Sequence, residues 1–128
     1  MSEKKYKVLL IDDEPYILKL VKEVLESTDE FEVITYPDAE NIVEKIKVNS
    51  PDIILLDIKL HGISGVEAIR IIKNTPEVKD IPVVAFTSFT MKGDREKFLK
   101  MGYDEYIPKP IDTRGFPEQI KKVVEKFK

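Results

Sequence analysis

Cysteine is absent from the 128 residues, which excludes a disulfide framework, a cysteine-built zinc site and thiol chemistry. An excess of positive charge is also missing. The net charge is −3, so the chain carries no electrostatic footprint for nucleic acid or for an anionic membrane. No apolar run approaches the length of a membrane span. The opening residues Met1 to Lys5 lead straight into a strand-length apolar run, too short for a signal peptide. Repeats, linkers and low-complexity stretches are lacking as well. These absences predict a soluble, cytoplasmic protein. The length fits one domain over residues 1–128, with no room for an output domain. The 42% hydrophobic content is enough for a proper core.

What the chain does have is a set of short apolar runs that each stop at a polar residue. Val8 to Ile11 ends in Asp12 and Asp13. Ile53 to Leu56 ends in Asp57, and Val83 to Phe86 ends in Thr87 and Ser88. A weaker run, Tyr106 and Ile107, passes through Pro108 to Lys109. Strands of a parallel sheet, buried on both faces, read as continuous apolar runs. Ligands bind outside their carboxyl ends. The polar residues are therefore expected to converge on one site, with three carboxylates, a hydroxyl and an ammonium. Such a set suits a divalent cation and a phosphoryl group.

Strand and helix patterns alternate five times. Strands are expected at Tyr6–Ile11, Phe31–Tyr36, Asp52–Leu56, Ile81–Phe86 and Tyr103–Ile107. The first helix follows Asp13, with Pro15 in its first turn and an inward stripe of Ile17, Leu20, Val21, Val24 and Leu25. Asp38 is expected to cap the second helix, which turns Ala39, Ile42, Val43 and Ile46 inward. The third carries Val66, Ile69 and Ile72 and stops at Asn74-Thr75-Pro76. The fourth lies between Met91 and Met101, with Gly102 at its C-cap. The fifth follows Asp112, with Phe116, Ile120, Val123 and Phe127 apolar. This alternation predicts a doubly wound α/β fold, a flavodoxin-like (βα)5 domain. Its parallel sheet has the order 2-1-3-4-5, which sets the first and third strands side by side at the switch point.

Each site residue has a plainer reading. Asp12 and Asp13 could serve only to complement a helix N-terminus, or they could hold a magnesium ion through oxygen ligands. Asp57 could cap a turn, or it could be a carboxylate nucleophile that accepts a phosphoryl group. Thr87 could be β-branched packing, or a hydroxyl donor to a phosphoryl oxygen. Lys109, held between Pro108 and Pro110, has a restricted backbone that aims its side chain. His61, the single histidine, has no evident partner and is read as incidental.

Taken together, the motifs resemble those of response-regulator receiver domains, the phosphoacceptors of two-component signalling. The resemblance covers nearly the whole chain. It runs through Lys7 to Pro15, Asp52 to Asp57 with Gly62 and Gly65, Pro82 to Thr87, Lys92 to Asp94 and Gly102 to Pro110. It implies that Asp57 is the phosphoacceptor, that Asp13 binds Mg²⁺ directly and Asp12 through water, and that Lys59 adds its backbone carbonyl to the metal. Mn²⁺ would serve in place of Mg²⁺. Thr87 and Lys109 would contact the phosphoryl group. Thr87 and Tyr106 would repack as the switch, read out on the face made by the fourth helix, fifth strand and fifth helix. Implied partners are a histidine kinase or histidine phosphotransfer protein and a downstream protein target. The implied state is a monomer or a weak dimer linked to phosphorylation. The chain departs from the family at His61, where proline is usual, and Lys59 stands at a position that tunes phosphoryl lifetime.

Two other classes stay open at this point. A phosphohydrolase with an aspartyl nucleophile commonly has a second Asp two residues on, where this chain has Lys59. A pseudo-receiver would bind partners without turning over phosphate. Upstream docking is expected at Leu18, with Tyr16 beside it on the outer side of the first helix, and at the loop around Pro110.

Overall fold

The computed structural model describes residues 5–60, 62–88 and 94–127. Five units follow one another: β1 (Tyr6–Ile11), α1 (Pro15–Glu26), β2 (Phe31–Tyr36), α2 (Ile42–Asn49), β3 (Ile53–Leu56), α3 (Gly65–Lys73), β4 (Val83–Thr87), α4 (Asp94–Met101), β5 (Glu105–Pro108) and α5 (Phe116–Lys126). The strands form one parallel sheet of order β2-β1-β3-β4-β5. This is the doubly wound, flavodoxin-like architecture that the alternating pattern predicts.

Side chains alternate along each strand, and both sets are buried. Val8, Leu10, Ile53, Leu55, Val84 and Phe86 face α1 and α5. Leu9, Ile11, Ile54, Leu56, Val83 and Ala85 face α2, α3 and α4. Each fully buried aliphatic or Phe side chain contributes about 1.5–3 kcal/mol, and a slip of one residue would exchange the two faces. Burial therefore fixes the register, which pairs Ile11 with Leu56, Leu56 with Ala85, and Phe86 with Ile107. Because the apolar runs stop together, the residues that follow them emerge together at one end of the sheet.

Several local expectations are corrected. The stripe that α1 turns to the core contains Leu18 rather than Leu20, beside Ile17, Val21, Val24 and Leu25. At 100° per residue, Leu18, Val21 and Leu25 fall in line, and Leu20 moves toward the rim with Tyr16. Asp38 does not cap α2. It accepts hydrogen bonds from the Glu40 N–H and Lys45 Nζ, both at 2.9 Å, while Asn41 turns left-handed at φ 53° immediately before the helix begins. The cap missed in the sequence is Ser64, whose Oγ accepts from the Glu67 N–H at 3.2 Å and starts α3. Phe127 is 38% exposed, and Val124 takes its inward place on α5. Strand five begins at Glu105, two residues later than expected. Gly102, at φ 112°, sends the chain back from α4 in a left-handed turn that favours glycine.

One outermost strand, β2, is bonded along its free edge by side chains of α1. On β2, the Val33 N–H donates to Glu26 Oε2 and the Val33 carbonyl accepts from Lys22 Nζ, both at 2.9 Å. Two residues one turn apart on α1 thus satisfy the middle of an edge strand.

Candidate functional site

The site grows out of the carboxyl ends of β1, β3, β4 and β5. The sheet ladder continues one step past the strands: the Asp12 N–H donates to the Tyr36 carbonyl at 3.1 Å, Asp57 to Ile11 at 3.0 Å, and Lys109 to Thr87 at 2.9 Å. These bonds place the backbones of the polar residues as firmly as those of the apolar ones before them. Asp12, Asp57, Thr87 and Lys109 are all buried, whereas Asp13 is half-buried and faces a cleft.

The three carboxylates meet as expected. One oxygen from each of Asp12, Asp13 and Asp57 lies within 4.8 Å of the others. Three hard oxygen donors, two buried and one open to a cleft, fit a Mg²⁺ ion that keeps part of its water shell. That cleft has a volume of about 340 Å³ and is lined by Asp13, Glu14, Asp57, Lys59, Leu60 and Ser88. Lys59 reaches Asp57 through its backbone N–H, 3.2 Å from Oδ1.

The Lys109 ammonium faces this charge. Lys109 Nζ donates to Asp12 Oδ2 at 2.5 Å and to Asp57 Oδ2 at 3.4 Å, and stands 3.9 Å from Glu14 Oε1. It also lies 5.1 Å from the centre of the Phe86 ring. Burial pushes the Asp57 carboxyl above its ordinary value. Lys109 and the Lys59 N–H pull it back, and the Asp12 charge pushes it up again. A cation in the cleft would relieve both burial and repulsion.

Thr87 ends β4, buried at the same end of the sheet. Tyr106 on β5 pairs with Ala85, two residues before Thr87. Its ring is half-buried, with the centroid 5.1 Å from that of Phe98 on α4. The expected switch pair is therefore carried on adjacent strands.

The expected docking residues separate. Pro110 is exposed and lines a groove of about 460 Å³ with Tyr16, Leu20, Lys109 and Ile111. Leu18 is not on that groove; it is half-buried against the core, and Tyr16 is the α1 residue left 64% exposed. His61 and residues 91–93, including Lys92, lie outside the described residues.

One buried residue near Asp57 escaped the sequence reading. Tyr103 is only 2% exposed, and its hydroxyl donates to the Gly65 carbonyl at 2.9 Å. Local pattern reads it only as the first residue of a strand. An aromatic directly after the glycine that ends α4 was the available signal.

The response regulator receiver domain family matches residues 8–121. The chain is 35% identical over 114 residues to the polar-differentiation response regulator DivK of Brucella anthropi, covering 89% of this chain and 92% of that protein. In structure it is similar to the chemotaxis protein CheY4 of Vibrio cholerae, with a TM-score of 0.83 at 22% identity over 94% of this chain and 99% of that one. It is also similar to the N-terminal domain of a response regulator receiver protein from Methanoculleus marisnigri, with a TM-score of 0.75 at 29% identity over 94% and 97%. Two adjacent acids and a third brought together by sheet register, under a family match that takes in all of them, lead to one conclusion: this chain belongs to the response-regulator receiver domains, the signalling domains of two-component systems.

Proposed function

We propose that Asp57 accepts a phosphoryl group from the phosphohistidine of a histidine kinase or histidine phosphotransfer protein, and that the new charge changes the affinity of this chain for a downstream protein. The observation that carries the reading is the convergence of Asp12, Asp13 and Asp57 within 4.8 Å, with the Lys109 ammonium beside Asp57. One oxygen of Asp57 is then available as nucleophile while its other oxygen shares a cation with Asp12 and Asp13.

Asp13 and Asp57 would hold Mg²⁺ directly, or Mn²⁺ in its place, with Asp12 acting through water and Lys59 through its carbonyl. When bound, the ion would neutralise charge on the transferring group and the acceptor. Asp57 is oriented by the Lys59 N–H and by Lys109. A carboxylate oxygen of Asp57 forms a bond to phosphorus as the phosphorus–nitrogen bond of the phosphohistidine breaks. The leaving imidazole keeps the electron pair and takes up a proton. The residues contribute mainly position and electrostatics. Hydrolysis of the acyl phosphate returns the carboxylate and inorganic phosphate. Lys109, already 3.4 Å from Asp57, pairs with a phosphoryl oxygen, and the Thr87 hydroxyl donates to another. Movement of Thr87 lets Tyr106 on the neighbouring strand repack. The reading places the chain in the cytoplasm, as a monomer or a weak dimer linked to phosphorylation.

Incubation with Mg²⁺ and a small phosphodonor, followed by mass spectrometry, tests this. Wild type is expected to gain one phosphoryl group, and Asp57→Asn none. Rapid release of phosphate without an adduct indicates a phosphohydrolase, and no reaction at all a pseudo-receiver. An adduct on any residue other than Asp57 overturns the proposal.

A further inference from the structure

Two observations single out Tyr103. The first is on its hydroxyl side. Gly65 opens α3, and its Cα is pressed against the chain just after the phosphoacceptor. A Cβ built there would lie 2.5 Å from the Asp57 carbonyl oxygen and 2.6 Å from the Ile58 Cα. The Gly65 N–H also donates to the Ile58 carbonyl at 3.1 Å. Whatever fixes Gly65 therefore fixes the backbone that carries Asp57. Tyr103 does so from the far side of the sequence, through the 2.9 Å bond to the Gly65 carbonyl. A carbonyl oxygen has two lone pairs, so this bond adds to helical bonding without competing with it. Burial, and then the Asp57 charge, push the phenol upward from its ordinary value, so the hydroxyl keeps its proton and stays a donor.

The second observation is on the ring side. Tyr103 meets Phe98 edge-on, with centroids 6.1 Å apart and planes at 77°. Phe98 in turn lies 5.1 Å from Tyr106. Three aromatic rings thus run from the α3 start beneath Asp57 to the tyrosine on β5. A phenylalanine would fill the Tyr103 volume equally well. The hydroxyl connects that packing to Gly65.

We propose that Tyr103 is a positioning residue for Asp57 and a second connection, beside Thr87, from the phosphoacceptor to Tyr106. The proposal rests on the phosphoacceptor reading above. Displacement of the Asp57 backbone on phosphorylation moves Gly65, Gly65 moves the phenol bonded to it, and the ring shifts Phe98 against Tyr106. Interactions between aromatic rings of this kind depend on geometry, so a small rotation at one end is felt at the other.

The test is Tyr103→Phe, followed by NMR of the Phe98 and Tyr106 rings and the Thr87 methyl group as Mg²⁺ and beryllofluoride, a phosphoryl mimic, are added. In wild type all three groups shift. In Tyr103→Phe the Thr87 shift is retained, the Phe98 shift falls to less than half, and phosphorylation by a small donor slows several-fold. A purely structural role would change melting temperature without separating the Thr87 and Phe98 responses. Phe98→Leu interrupts the same connection from the other side and is expected to reduce the Tyr106 shift while sparing Thr87. A full Phe98 shift in Tyr103→Phe, or a full Tyr106 shift in Phe98→Leu, overturns the proposal and leaves the phosphoacceptor reading intact. Absence of any response in wild type overturns both.

Discussion

Lys109 is held closer to Asp12 than to Asp57, at 2.5 Å against 3.4 Å. In the resting arrangement the ammonium mainly balances the acid that would hold metal through water, and it makes the longer contact to the phosphoacceptor. A short movement would transfer it to a phosphoryl oxygen, where the bond is charge-assisted. Lys109→Ala is therefore expected to leave Mg²⁺ affinity intact or raise it by about two- to tenfold, since a positive charge is removed from the acidic cluster. The same variant should lose most of the phosphorylation-linked NMR shift at Thr87 and Tyr106. Weaker Mg²⁺ binding with an unchanged shift would contradict this assignment.

Asp13 is the least buried of the three converging acids and lines the cleft. A mostly hydrated Mg²⁺ held by few carboxylates is sensitive to the loss of one. Calorimetric titration of Asp13→Ala in the millimolar range is expected to show no binding where wild type binds. Equal titration curves would remove Asp13 from the metal site.

Docking of a phosphohistidine donor is expected on the groove beside the site, where Tyr16 and Leu20 stand next to Pro110. A central aromatic anchor in a small interface carries a disproportionate share of affinity. Tyr16→Ala should slow transfer from a cognate protein donor by about tenfold, or about 1.4 kcal/mol, and leave phosphorylation by a small donor unchanged. Leu18→Ala should instead reduce stability by about 2 kcal/mol, because Leu18 packs on the core. If Leu18→Ala proved stable and slowed only the protein donor, Leu18 would be a contact residue after all.

The clamp on β2 supplies a pH-dependent term. Burial pushes the Glu26 carboxyl upward, but the Val33 N–H and the Lys22 ammonium outweigh it and hold the group below the usual carboxylate range. A carboxyl with a depressed folded value stabilises the fold above the unfolded value, about 4.3. That contribution is lost as pH falls through the folded value. Glu26 is partly exposed, so screening keeps the effect small. Glu26→Gln is expected to cost about 0.5 kcal/mol at pH 7. The gap to wild type should close in denaturant titrations below the ordinary glutamate range, and a gap that persists or widens there would exclude the ionised clamp.

The legible part of this molecule was the part written in apolar runs. Asp12, Asp57 and Thr87 could be placed because each ends a strand whose length the run itself sets. Lys109 follows a strand with only a weak apolar run, where the prolines marked the chain instead. Leu18 and Leu20 were exchanged because both lie near the border of one helical stripe, and composition cannot show where the neighbouring α5 closes over it. Asp38 looks like a cap, but the left-handed turn at Asn41 depends on tertiary placement. Tyr103 remained hidden because its role is set by residues almost forty positions away, a distance over which local pattern carries no information.

The bonds from Lys22 and Glu26 to Val33 also bear on self-association. An outer strand exposes a row of unpaired amides and carbonyls that can template a strand from another molecule. Here the central pair of that row is already taken by side chains from the same chain. An incoming strand would have to displace two charged partners before forming its first ladder bonds, so the β2 margin resists continuation into an intermolecular sheet. Mutations that neutralise both residues would open this margin, and their first symptom would be aggregation on storage at high concentration, with the chemistry at the opposite end of the strands untouched.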